Sequence, residues 1–175
     1  ISENAFSNST LCLIENSQIK YREESGAIIV EKVTLSEQYH GMKIALPKTI
    51  NGKFLSTIDT GAFSETAQLS LKFDVVLPYN VYKIASGAFE GSFVSYVVAP
   101  GVQTIEANAF KNCTSLVHVE TRYLKSLDAT AFDGCDKLQG IPAILEWFDY
   151  STEANGIVIE GFSEKQKRGI CDEKM

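Results

Sequence analysis

Two side chains in this sequence have the types and spacing to hold a metal ion: His118 and Glu120, within the run SLVHVET at 115–121. In an extended strand successive side chains alternate between faces, so His118 and Glu120 share one face while Val119 and Thr121 take the other. Asp74 and Tyr96 would lie nearby on preceding strands. A metal site needs three or four converging ligands, and this pair supplies two. The arrangement therefore reads better as part of a polar binding surface. The other histidine, His40, sits in the turn-like stretch SEQYHGMK and reads as a surface residue. Cys113 and Cys135 each follow a phenylalanine by three residues. Stacked repeats could bring them close enough for a disulfide, but the favoured reading is two buried thiols filling a small core slot. Cys12 and Cys171 complete the set; no CxxC pair points to zinc, and the oxidation state of all four stays open.

Nothing else supports catalysis. No nucleophile has an identifiable base and orienting partner. GAFEGS (87–92) lacks the Lys-Ser/Thr of a phosphate loop, and Glu23 and Glu24 read as solvated residues of a turn. No cofactor is expected and the chain reads as a non-enzyme.

These residues must be positioned by repeating elements. The pattern Ile-x-x-x-Ala-Phe recurs as Ile1…Ala5-Phe6, Ile58…Ala62-Phe63, Ile84…Ala88-Phe89 and Ile105…Ala109-Phe110, then with leucine as Leu127…Ala131-Phe132. The last four phenylalanines are 26, 21 and 22 residues apart. After each Ala-Phe come a short polar turn and an apolar alternation, in which Val94, Val97 and Ala99 match Leu116, Val119 and Thr121, then Leu138, Ile141 and Ala143. A unit of 21–26 residues with one strand cannot bury its own apolar face. Stacked units can, with equivalent residues piling into ladders about 4.8 Å apart. The expected architecture is a repeat solenoid of α/β type, one parallel strand per unit, its core filled by a phenylalanine ladder.

The stretch Val102 to Val119, V-x-x-I-x-x-x-A-F-x-x-C-x-x-L-x-x-V, resembles the BspA-like class of leucine-rich repeats, and LPKTINGKFLSTIDTGAF (46–63) is similar to that family's common leading unit. The likeness covers about 44–143 and the stub at 1–6; the asparagine ladder of ordinary leucine-rich repeats is missing. The domain reading is a partial leading repeat (1–18), a β-hairpin cap or insertion (19–46), leucine-rich repeats (44–143), a C-terminal cap (144–162) with a strand at 157–160, and a mobile charged tail (163–175). The hairpin follows from two alternating runs around Glu-Ser-Gly in IKYREESGAIIVEKVT.

Charge and composition limit the partners. The chain has 175 residues, 45% hydrophobic and 22% charged, with net charge −6. That charge, with no basic stripe visible along the chain, disfavours nucleic acid, and no apolar run reaches the roughly 18–20 residues of a membrane span. Ile1 falls inside a repeat, so the chain reads as a piece of something longer. Asn8 and Asn112 head glycosylation sequons, which matter only in a secreted eukaryotic protein. By register, the outward sheet face carries Lys43 and Ala45, Asp74 and Val76, Tyr96 and Val98, His118 and Glu120, then Gly140 and Pro142. The resemblance implies a secreted or cell-surface, non-enzymatic protein-binding module, its partner a host or extracellular matrix protein in adhesion, with Lys43, Asp74, Val76, Tyr96, Val98, His118 and Glu120 as the candidate contact residues. The alternative is a structural spacer or assembly element within a larger surface protein.

Overall fold

The computed structural model describes residues 11–139 and a strand at 158–159. Residues 1–10 of the leading repeat, Gly140, Pro142, the remainder of the cap at 144–162, the tail at 163–175 and Cys171 lie outside the described residues. In chain order the strands are β1 (Leu11–Leu13), β2 (Ile19–Glu24), β3 (Ala27–Val33), β4 (Met42–Ala45), β5 (Thr49–Ile50), β6 (Lys53–Ile58), β7 (Lys72–Val76), β8 (Lys83–Ile84), β9 (Phe93–Val98), β10 (Thr104–Ile105), β11 (His118–Glu120), β12 (Ser126–Leu127) and β13 (Val158–Ile159). A short helix, α1 (Ser64–Gln68), lies between β6 and β7.

The strands form two sheets. The first is wholly parallel, in the order β1-β4-β7-β9-β11. The second runs β13-β12-β10-β8-β6-β3-β2 and is parallel from β13 to β3. Each unit thus contributes two strands where the sequence suggested one, the second often only two residues long. Two residues show no periodicity, so this strand is set by its neighbours. In it Val30, Ile58, Ile84, Ile105 and Leu127 stand in register and are all buried.

Two hairpins decorate the second sheet. β2 and β3 are antiparallel around Ser25-Gly26, both at positive φ (50° and 80°), the twist-matched turn of a two-residue hairpin. β3 also pairs in parallel with β6, so the hairpin joins the repeat sheet directly. β5 and β6 are antiparallel around Asn51-Gly52, at φ of 51° and 75°.

Between the sheets lies the phenylalanine ladder. Phe63, Phe89, Phe110 and Phe132 stack face to face, with centroids 4.3, 4.9 and 5.2 Å apart, and none is more than 1% exposed. Stacked pairs of this kind contribute about 0.5–1.5 kcal/mol beyond area burial. The alanine before each phenylalanine is as deeply buried. Its carbonyl accepts from the phenylalanine N–H of the unit before: Phe63 to Ala88, Phe89 to Ala109 and Phe110 to Ala131, at 2.8–2.9 Å. A larger side chain at the alanine would push these backbones apart.

Three residues beyond each phenylalanine is a small slot holding Thr66, Ser92, Cys113 and Cys135. The two cysteines are free thiols. Cys113 Sγ donates to the Phe89 carbonyl at 3.0 Å, Cys135 Sγ to the Phe110 carbonyl at 2.9 Å, and Thr66 Oγ1 to the Phe63 carbonyl at 2.6 Å. A hydrogen bond to Cys113, then burial, pushes the Cys135 thiol far up and keeps it protonated. Because Ser92 already fills the slot one unit earlier, Cys113→Ser should shift stability by less than about 1 kcal/mol, whereas Cys113→Leu should cost about 1–3 kcal/mol through overpacking. Urea unfolding of the two variants against the parent measures both.

Candidate binding face

The outward face of the first sheet is built by register. In one row Leu11 pairs with Lys43 and Lys43 with Asp74; Tyr96 pairs with His118. In the next row Leu13 pairs with Ala45, Ala45 with Val76, Val76 with Val98, and Val98 with Glu120. All seven residues singled out from the sequence therefore lie on one continuous face, and Lys43, Asp74, Val76, Tyr96, Val98, His118 and Glu120 are each partly exposed. Gly140 and Pro142 lie outside the described residues. The alternating partners Ile44, Val75, Val97 and Val119 point inward and are fully buried.

One irregularity shapes the centre. Phe73 pairs with Val94 but Val75 pairs with Val97, so β9 carries one residue more than β7 opposite Asp74. Such a bulge frees a backbone N–H from the ladder, and the Tyr96 N–H is hydrogen-bonded to the Asp74 carboxylate. Burial pushes the Asp74 carboxyl above its ordinary range, opposed by that hydrogen bond and by the Lys43 charge. A carboxyl raised in the folded state contributes stability below its unfolded value and loses it as pH rises through the folded value. Asp74→Asn should therefore stabilise the protein at pH 7, with the gain vanishing as pH falls below the carboxylate range. Thermal melts from pH 3 to 7 test this; a gain independent of pH would refute it.

Tyr96 and His118 are ring neighbours, 6.4 Å between centroids and inclined by 42°. Glu120 sits 3.6 Å from Arg122. Among the described residues no group of three or more His, Cys, Asp and Glu side chains converges as a metal site. His40 is exposed, and its Nδ1 accepts from the Lys72 N–H at 3.4 Å, joining a turn to the start of β7.

The structure adds two residues to the face. Leu11 and Leu13 are 60% and 65% exposed at its β1 edge. The sequence held a signal for them, the alternation Leu-Cys-Leu, but three residues are too few for periodicity to decide.

Parallel strands from successive Ala-Phe units, laid side by side around a ladder core, define a leucine-rich repeat protein. Six copies of the BspA type leucine rich repeat region match residues 1–92 and 37–146, and the chain belongs to that family. Among solved structures, a Treponema pallidum leucine rich repeat protein is 17% identical with a TM-score of 0.52, over 92% of this chain and 95% of that one. A leucine rich cell surface protein of Faecalibacterium prausnitzii is also 17% identical, with a TM-score of 0.40 over 69% of this chain and 36% of that one. No curated protein matches the sequence. Leucine-rich repeat modules are in general non-enzymatic and bind proteins.

Proposed function

We propose that this chain is the ligand-recognition module of a secreted or cell-surface protein, and that the outward face of the first sheet adheres to a protein partner, host or extracellular matrix proteins included. The observation that supports this reading is the face itself. Five parallel strands present two rows, one continuous and one interrupted by the bulge between Asp74 and Tyr96, in which leucines, valines and a tyrosine are interleaved with one lysine, one histidine and two acids. An aromatic anchor within a mixed apolar and polar field is the composition that binding hot spots favour. Family membership supports the surface setting.

The test is binding of the purified chain to a panel of extracellular matrix and cell-surface proteins, beside a Tyr96→Ala, His118→Ala, Glu120→Ala variant. Saturable binding that the variant loses by at least about tenfold, with its melting temperature unchanged, supports the face as the adhesive surface. Binding that survives in the variant, or no binding by either protein, would move the reading to a structural spacer whose ends make the contacts.

A further inference from the structure

A second surface lies along one rim, where the chain passes from the first sheet to the second. Four successive crossings make it: residues 46–54, 77–83, 99–104 and 121–126. They carry Lys48, Lys53, Lys83, Arg122 and Lys125, and no aspartate or glutamate, in a chain whose net charge is −6. The opposite turns, where the chain returns to the first sheet, hold Asp59, Glu65, Glu90, Glu106 and Asp128 among their acids, against Lys111 and Lys137. The stacking thus gathers along one rim cations that the linear sequence scatters over different units, although Glu106 reaches Lys83 from the opposite side.

The basic rim is also aromatic. Phe54, Tyr79, Tyr82 and Tyr123 are 46%, 60%, 48% and 45% exposed, values unusual for rings in a folded protein. Tyr79 and Tyr123 meet edge to face, centroids 5.9 Å apart and planes at 82°, across the intervening unit, which has only Gly101 there. The neighbouring Tyr123 hydroxyl raises the Tyr79 phenol. Lys48 lies over the Phe54 ring, 5.5 Å from its centroid. Three of the cations have acidic partners reaching in from elsewhere: Lys53 from Glu23, Lys83 from Glu106 at 2.7 Å, and Arg122 from Glu120 at 3.6 Å. Exposed pairs of this kind are weak and exchange readily for a competing anion.

We propose that this rim binds a linear anionic polysaccharide, with its acidic groups on Lys48, Lys83, Arg122 and Lys125 and a sugar face packed on the Tyr79–Tyr123 pair. The cations follow the stacking direction; Lys83 and Lys125 are two units apart, about 10 Å at the usual interstrand spacing of about 4.8 Å, so a linear ligand meets them in turn. The ring geometry selects sugar over single-stranded nucleic acid. Successive bases stack on successive parallel platforms, and rings at 82° cannot offer two of those, whereas one exposed ring face and a neighbouring phenol suit a pyranose with its hydroxyls. An acidic peptide would satisfy the cations but leave the ring faces unused. The site shares only the Glu120–Arg122 pair with the sheet face, and its test does not depend on the protein-binding reading.

The experiment is titration of the whole chain with a size-defined heparin decasaccharide, followed by calorimetry at 50 and 200 mM NaCl. Affinity should fall at least about tenfold between the two salts, as expected when several cations release counterions. Lys48→Glu with Lys125→Glu should weaken binding at least about tenfold at the lower salt. Tyr79→Ala with Tyr123→Ala should weaken it about threefold or more while leaving the salt dependence intact. A Tyr96→Ala, His118→Ala double variant, which leaves the Glu120–Arg122 pair in place, should bind the decasaccharide like the parent. Equal binding by the charge-reversed protein, no binding at 50 mM NaCl, or tighter binding of oligothymidylate or polyglutamate than of heparin would each overturn the proposal; melting curves establish that every variant is folded.

Discussion

Phe89→Ala is expected to destabilise the protein by about 4–5 kcal/mol, at the upper end for a buried phenylalanine, and to lower its melting temperature by about 8–20 °C. Phe89 is fully buried and stacked on both faces, against Phe63 at 4.3 Å and Phe110 at 4.9 Å. Truncation removes two ring contacts together and leaves a void between two backbones. Those backbones are joined by the Phe63 N–H to Ala88 and Phe89 N–H to Ala109 hydrogen bonds, so the site cannot collapse without breaking them. Phe89→Leu keeps much of the volume and should cost about 1–2 kcal/mol. Phe54→Ala, which removes an exposed ring of the same type, should cost less than about 1 kcal/mol. Urea unfolding of the three variants ranks them. A loss at Phe89 no larger than at Phe54 would mean the ladder does not hold the units together.

The ladder was legible in the sequence because its evidence is redundant. Isoleucine, alanine and phenylalanine recur together in several units, and each recurrence fixes the same inward positions. The sheet face followed from that register, and Lys43 beside Asp74, Val76 beside Val98 and His118 beside Tyr96 stand as alternation placed them. What escaped is what single units decide. The matched buried positions Val94, Val97 and Ala99 step by three and then two, whereas Phe73, Val75 and Leu77 step by two throughout, and that mismatch between neighbouring units is the bulge that turns Tyr96 N–H toward Asp74. Nothing in the apolar pattern marks which residue is extra. The second sheet escaped because Lys83–Ile84, Thr104–Ile105 and Ser126–Leu127 are too short to show a period. The Asn51-Gly52 turn between β5 and β6 did carry a hairpin signal, masked by its place inside a repeat unit. The basic rim was invisible for a different reason. Its cations and rings come from three separate crossings, and only the stacking makes them neighbours.

Gly101→Ala should destabilise the protein by about 3 kcal/mol, lowering its melting temperature by about 6–12 °C, although alanine is ordinarily the mildest of replacements. Gly101 has no left-handed backbone to protect; the obstacle is another chain segment. A Cβ there would lie 1.7 Å from the Tyr79 carbonyl oxygen, 2.7 Å from its carbon and 3.2 Å from the Val81 carbonyl oxygen. These are main-chain atoms, which no rotamer change can move. The cause lies in the length of the crossings. Leu77, Ala99 and Thr121 are equivalent, as are Val81, Val102 and Leu124, yet four steps separate the first pair and three separate each of the others. The extra residue in the 77–81 crossing pushes the Tyr79 carbonyl toward the next unit, and glycine is what that unit supplies to receive it. Tyr123, which holds the place corresponding to Gly101 one unit on, keeps its side chain because the crossing before it has no extra residue. Tyr79→Ala in the Gly101→Ala background should therefore restore nothing, since the clash is with backbone. Recovery of stability in that double variant would show instead that the Tyr79 ring, propped against Tyr123, is what forbids a side chain at 101.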